Sequence, residues 1–362
     1  MAESLKINKL VSPSWSWLKI NEAAVDFDFS LETVMPEIKN GQEFSLSEDG
    51  FELKAKFPEI LSGTGESSDS IFEPSGSGSE ACAMGISVPA NVRIEKPLVL
   101  NYDFSEKNCA LTRQVIFAGE NSEATVIIVS SSEQNASGFQ ALKTEVYAAP
   151  GSKIHIVKVQ LLGGGFVQVD DTASYAAENS SVRLTHVELG GSKVYVGAGC
   201  NLKEYKGSFK SDMGYYLRNE QFLDMNFIVN HFGKKTLCRM NVAGSLDGSS
   251  RKTYRGTIDF KTGSAGSDGN EQEETLLLSP DVVNKSMPVI LCTEEDISGE
   301  HGATIGRLSD EMLFYMESRG ISRADAEKII ARAKVQAVCS EINDEETVEK
   351  INAEMNVIFG GE

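Results

Sequence analysis

Three stretches, Arg113–Ser130 (RQVIFAGENSEATVIIVS), Thr144–Gln160 (TEVYAAPGSKIHIVKVQ) and Ser174–Leu189 (SYAAENSSVRLTHVEL), share one form. Each reads as a strand, a pair of small residues, a polar turn and a second strand. Val, Ile, Thr and Tyr alternate with other residues at period two, and Gly, Asn and Ser punctuate the turns. Ala118 to Ser122 aligns with Ala148 to Ser152 and again with Ala176 to Ser180, at offsets of 30 and 28 residues. That spacing lies in the range of solenoid repeats. Ala243-Gly244-Ser245 is a later echo. Such repeats stack so that each coil buries its apolar face on the next. A sandwich of antiparallel hairpins also has short strands and regular turns, but a near-fixed repeat favours the β-helix.

Working outward, the period-two pattern runs from Met84 to about Pro280, and nothing between 90 and 280 reads as a long helix. The expected fold is mainly β, a parallel β-helix over residues 84–297. It lies between an N-terminal segment (1–83) and a C-terminal helical domain (298–362). In the N-terminal segment SWSWLKIN (Ser14–Asn21) reads as a docked arm. The Gly/Ser/acid-rich Leu61–Glu80 reads as a mobile linker. MPVILCTEEDISGEHGAT (Met287–Thr304) reads as a last strand followed by a Gly-bounded turn. No cap is recognisable after Leu278, so the last coil is expected to pair with a partner's by continuing the sheet.

A helical hairpin follows. Ser309 caps a helix over Asp310–Arg319, Gly320 takes the left-handed position beyond it, and Ser322 with Asp325 forms a capping box. Ala326, Ile329, Ile330, Ala333 and Ala337 share one face of the second helix. A final helix over Glu345–Phe359 is capped by Asn343 or Asp344 and carries an apolar stripe of Val348, Ile351, Met355 and Ile358.

A chain of 362 residues buries a large core, and its formal charge of −19 disfavours nucleic acid and anionic membrane surfaces. No apolar run approaches the ~18–20 residues of a membrane helix. The start, MAESLKINKL, has no signal core, so a cytosolic protein is expected. Cys82, Cys109, Cys200, Cys238, Cys292 and Cys339 form no CxxC pair, which leaves a zinc site of that kind unsupported. There is no phosphate loop, dinucleotide fingerprint or GxSxG elbow. Of four histidines, His155 and His186 sit in repeat strands as structural residues, and His231 is unassigned. His301 stands beside Glu300 ahead of the hairpin, and imidazole with carboxylate suits iron.

Several spaced elements carry a family likeness: Val88–Leu98 (VPANVRIEKPL), Tyr254-Arg255-Gly256, Thr275–Ser279 (TLLLS), Glu300-His301-Gly-Ala-Thr, Leu313-Phe314-Tyr315 and Ser318-Arg319-Gly320-Ile321. Together they resemble the SufB/SufD proteins, scaffold subunits of the SUF iron–sulfur cluster assembly machinery. The resemblance implies a right-handed parallel β-helix followed by a helical domain that docks a SufC-type ABC ATPase. Subunits would pair through their β-helices, as a homodimer or with a SufB/SufD paralogue. A nascent iron–sulfur cluster would form near that joint, with His301 matching a histidine implicated in assembly. Glu273-Glu274 stands where SufB-type proteins carry a cysteine, and Gly302 where they carry a second glutamate.

On this reading the chain is a non-enzymatic scaffold. Glu273, Glu300 and His301 contact iron or cluster, and Phe314, Tyr315 and Arg319 contact the ATPase. The alternatives are a structural partner that stabilises the ATPase without metal, and a β-helix enzyme acting on acidic polysaccharide. The enzyme would need a basic or calcium-binding cleft.

Overall fold

A computed structural model describes residues 3–27, 31–72, 83–104 and 109–360. Consecutive strands alternate between two sheets, and each pairs in parallel with the strand two ahead. The result is a parallel β-solenoid. One sheet stacks Met84–Val88, Cys109–Ala118, Ser137–Ala148, Gly165–Ala176, Lys193–Leu202, Phe222–His231, Arg251–Phe260 and Val283–Cys292. The other stacks Leu98–Asp103, Glu123–Ser131, Lys153–Leu161, Ser181–Glu188, Ser208–Leu217, Leu237–Leu246, Ser267–Leu277 and Ile297–Gly306.

The aligned repeat is the observed register: Ala148 pairs with Ala118 on one side and Ala176 on the other. At the turn, Asn121, Gly151 and Asn179 all take positive φ (53°, 72° and 54°), a conformation that Asn and Gly tolerate. Alternate residues of both sheets point inward and fuse into one core, among them Ile116, Ile128, Val146, Ile156, Val196 and Phe227. The echo at Ala243-Gly244-Ser245 is no turn. It lies within the strand Leu237–Leu246, where a Cβ on Gly244 would stand 2.4 Å from the Tyr215 carbonyl oxygen.

The outer faces are covered by the two ends of the chain. Ile7, Ala23, Val25, Ile71 and Phe72 pack on Leu111, Phe139, Val169 and Tyr195 of the first sheet. The C-terminal helices lay Ala331, Val335, Val338, Ile351, Met355 and Phe359 on Val157, Val159, Val187 and Tyr216 of the second. Each fully buried aliphatic side chain contributes about 1.5–3 kcal/mol, so the helices are fastened to the solenoid, not hung from it.

At the N-terminal end short strands close both sheets. Glu37–Lys39 and Ser45–Ser47 pair antiparallel with Leu98–Asp103 and Met84–Val88. At the other end Val283–Cys292 and Ile297–Gly306 each leave one edge without a strand among the described residues.

Four expectations need correction. Leu61–Phe72 is docked: Asp171 accepts bonds from the Gly63 and Thr64 amides at 3.0 Å, and Ile71 and Phe72 are buried. The rest of the supposed linker, and Cys82, lie outside the described residues. In the arm, Ile20 is buried but Trp15 and Trp17 are exposed, with their ring centroids 6.1 Å apart. On the second hairpin helix the face against the sheet is Ala331, Val335, Val338 and Cys339; Ile329, Ala333 and Ala337 face outward. Lastly, residues 297–306 are a strand, not a turn, so the helices begin only at Asp310. The caps are as expected: Ser309, Ser322 and Asp344 accept from Met312, Asp325 and Thr347, and Gly320 has φ +83°.

Candidate site at the open end of the solenoid

Strand alternation decides which side chains meet here. Ile297 and Ile290 pack against the interior core. The inward positions of the last two strands are therefore Ser286, Pro288, Ile290 and Cys292 on one, and Gly299, His301, Ala303 and Ile305 on the other. One coil below, Leu277 belongs to the interior, and so do Glu271, Glu273 and Thr275. Register places His301 directly over Glu271, and Ala303 over Glu273.

Glu300 and His301 consequently diverge. Glu300 points to the outer face, where its Oε2 accepts from Asn270 Nδ2 at 3.0 Å. Glu274 is also outward and pairs with Lys334 of the second hairpin helix. Of the expected site residues the structure brings Glu273 and His301 to one side and sends Glu300 to the other.

Glu273 is fully engaged. One oxygen takes the Lys252 ammonium and the Thr275 hydroxyl, the latter at 3.1 Å; the other takes Ser286. Thr275 in turn meets the Tyr215 hydroxyl at 2.9 Å. Burial pulls the Lys252 pKa down against the opposing pull of Glu273.

Glu271 escaped the sequence reading. It is buried, with the Tyr254 hydroxyl as the hydrogen-bonding neighbour of its carboxyl. Its carboxyl reaches across the interior to Gly256, where a Cβ would stand 2.2 Å from Oε1. Burial pushes its pKa up to about 7. Tyr254 lies beside it, its phenol pushed far up by burial and then by the Glu271 charge. The Tyr254-Arg255-Gly256 element thus has a division of labour. Tyr254 and Gly256 face Glu271 inside. Arg255 faces outward, forks onto Asp224 at 2.6 and 3.2 Å, and donates to the Ile20 carbonyl of the N-terminal arm. The signal for Glu271 was the alternation of Glu271, Glu273 and Thr275 against Gln272 and Glu274.

The other histidines are structural. His155 Nε2 meets Thr185 Oγ1 at 2.8 Å, and His231 Nδ1 meets Thr236 Oγ1 at 2.7 Å. Burial lowers their pKa values to about 4 and about 3. His186 is buried 4.0 Å from Asp170 with its pKa well below the usual value, chiefly through burial. Among the described residues, no three His, Cys, Asp or Glu groups stand close enough to hold a metal unaided.

On the hairpin, Leu313 is buried, whereas Phe314 is 72 % and Tyr315 58 % exposed. The Arg319 guanidinium lies 4.9 Å from the Tyr315 ring centroid. Tyr315 and Arg319 thus form an exposed aromatic–cationic pair, and Phe314 is exposed on the same helix. No helix among the described residues is long and apolar enough to cross a membrane.

The family model described as "SUF system FeS cluster assembly, SufBD core domain" matches residues 102–334, more than half of the chain. The chain belongs to the SufBD family. It is 21 % identical over 265 residues to the iron–sulfur cluster assembly protein SufD of Bacillus subtilis (strain 168), covering 70 % of this chain and 59 % of that protein. To an iron–sulfur cluster assembly SufBD family protein of Staphylococcus epidermidis (strain ATCC 12228) it is 22 % identical over 268 residues, covering 73 % and 57 %. The chain thus spans about three-fifths of these relatives' length. The matched SufBD core holds every strand from Cys109 onward, His301 and the first hairpin helix.

Proposed function

We propose that this SufBD-family chain is a non-enzymatic scaffold on which an iron–sulfur cluster is assembled, worked by a SufC-type ABC ATPase. One observation carries the reading: His301 stands exposed on the inward-facing side of the last strand, where the solenoid is open. An imidazole there is reachable by iron and by a second subunit added edge to edge. The exposed edges of Val283–Cys292 and Ile297–Gly306 suit pairing with another copy or a paralogue by sheet continuation. Cys292, exposed on the last coil, is the nearest thiol in sequence, and thiolates are the usual cluster ligands. The cluster is cargo on this reading, held in passing.

Phe314, Tyr315 and Arg319 are the proposed contacts with the ATPase; exposed aromatics and Arg are favoured interface anchors. Lys334 ties the second helix to Glu274, which borders Glu273 in sequence. A push on the hairpin therefore has a short route to the open coil. The second reading, a structural partner of the ATPase without metal, is favoured by the full engagement of Glu273 with Lys252, Thr275 and Ser286. Anaerobic reconstitution with iron and sulfide separates the two: the scaffold develops a cluster chromophore, the structural partner does not.

A further inference from the structure

We infer that the N-terminal loop Leu10–Asn21 is a clasp between subunits, and that its Trp15 and Trp17 pack on Met287, Val289 and Leu291 of a second copy of this chain. The inference rests on the edge-to-edge pairing of solenoids read above and names a contact that the edge strands alone do not make.

The loop is braced from within. The Leu10 amide donates to the Asn21 carbonyl at 2.7 Å. The Asn21 side chain accepts from the Ser14 amide and donates to the Ser14 carbonyl, at 2.7 and 2.8 Å. The loop is also tied to the open end. Arg255 donates to the Ile20 carbonyl, and Lys285, one coil further on, donates to the Leu18 carbonyl at 3.1 Å. Its tip therefore lies at the last strand of the first sheet. There Trp15 and Trp17 are 73 % and 69 % exposed.

Beside that tip the outer face of the sheet changes character. Register sets Met287, Val289 and Leu291 next to Arg255, Thr257 and Asp259. The three polar residues are buried, whereas the three apolar ones on the edge strand are only half-buried. A projecting aromatic pair and a receiving apolar row thus share one edge. That is the self-complementary patch of a two-fold joint, in which each copy gives and takes the same contact. An antiparallel two-fold pairing of Val283–Cys292 sets the Lys285 end of one strand opposite the Leu291 end of the other, so each loop overhangs its partner's row. The area also suits a dimer. Burying a Trp removes about 150–250 Å² from water, so four across the joint supply roughly half of the ~1,200–2,000 Å² that a stable interface buries. Trp is enriched among the residues that carry binding energy.

Trp15 and Trp17 are the two tryptophans of the chain, so its tryptophan emission reports on this loop alone. The full-length chain is diluted in steps, with its mass read by sedimentation velocity and its emission read in parallel. In wild type the emission is expected to move to shorter wavelength over the same concentration range in which the mass doubles. Val289→Lys should need at least tenfold more protein for both changes. Trp15→Ser with Trp17→Ser should need at least tenfold more for the doubling of mass, with far-UV circular dichroism unchanged. Val357→Ala, exposed on the last helix, should behave as wild type. A wild-type dimer whose emission does not move, or a double Trp variant that dimerises as wild type does, would overturn the clasp and leave edge-to-edge pairing standing. A wild-type chain that stays monomeric at every concentration would overturn both the clasp and self-pairing.

Discussion

Glu271 and His301 sit one above the other on the last two strands of the second sheet, while Glu300, the sequence neighbour of His301, points to the opposite face. At this end of the molecule strand register, and not sequence adjacency, decides which side chains share a face. His301→Ala and Glu300→Gln are therefore expected to separate cleanly in any assay of the site.

The hairpin cluster is expected to behave as a docking surface. Phe314→Ala combined with Arg319→Glu removes an aromatic that is already exposed and reverses a charge beside Tyr315. The melting temperature should stay within about 2 °C of wild type, since surface changes usually cost under ~0.5 kcal/mol. Co-purification with the ABC ATPase should be lost. Unchanged co-purification would remove the hairpin from the interface.

Arg255 donates to the Ile20 carbonyl of the N-terminal arm and makes a buried fork onto Asp224, which also accepts from Asn8 of the arm at 2.8 Å. Arg255→Ala leaves the Asp224 charge buried and unpaired, and should cost about 3–5 kcal/mol. Replacing both partners with apolar residues of similar volume should cost much less. Urea unfolding midpoints of the single and double variants check this; equal losses would contradict it.

The docking of residues 61–72 brings its backbone close to that of the strand Lys193–Leu202 at Gly63, Gly197 and Gly199. A Cβ on Gly63 would stand 2.0 Å from the Ala198 amide nitrogen and 2.5 Å from the Gly197 carbonyl carbon. Gly63→Ala should lift the segment and open it to protease. Gly306→Ala, with nothing near its added methyl, should leave the digestion pattern unchanged. Resistance of Gly63→Ala equal to wild type would count against the docked segment.

Acid should weaken the fold through His231. Burial against Phe260 lowers its pKa to about 3, despite the opposing pull of Asp268. The folded state therefore binds fewer protons than the unfolded state below the ordinary histidine pKa. Its stabilising contribution is complete above ~pH 6.5 and is lost as pH falls toward 3. The loss from this one group is about 1.4 kcal/mol per pH unit in that window. Denaturant midpoints at pH 7, 6, 5 and 4 should be less steeply spaced in His231→Gln than in wild type; equal spacing would contradict the assignment.

The solenoid was legible because its coils repeat. The small pair at Ala118, Ala148 and Ala176 recurs at the corner, and the Asn or Gly beyond it meets the same demand for positive φ. The site was less legible because Gly299, Gly302 and Gly306 made residues 297–306 look like a turn. Two of those glycines are strand residues at close contacts. A Cβ on Gly302 would meet Gln272 Oε1 at 2.4 Å, and one on Gly299 would meet the Phe260 ring at 3.2 Å. Once that stretch is a strand, alternation splits Glu300 from His301 and brings in Glu271. The outward turn of Ile329, Ala333 and Ala337 was hidden for a different reason. Both faces of the second helix are rich in small apolar residues, and only the sheet beneath selects between them.

Anaerobic reconstitution with iron and sulfide tests the central claim most directly. The charge-transfer absorption gained per chain should be strong in wild type, retained in Glu300→Gln and largely lost in His301→Ala. Equal absorption in wild type and His301→Ala would contradict a cluster assembled at the open end of the solenoid.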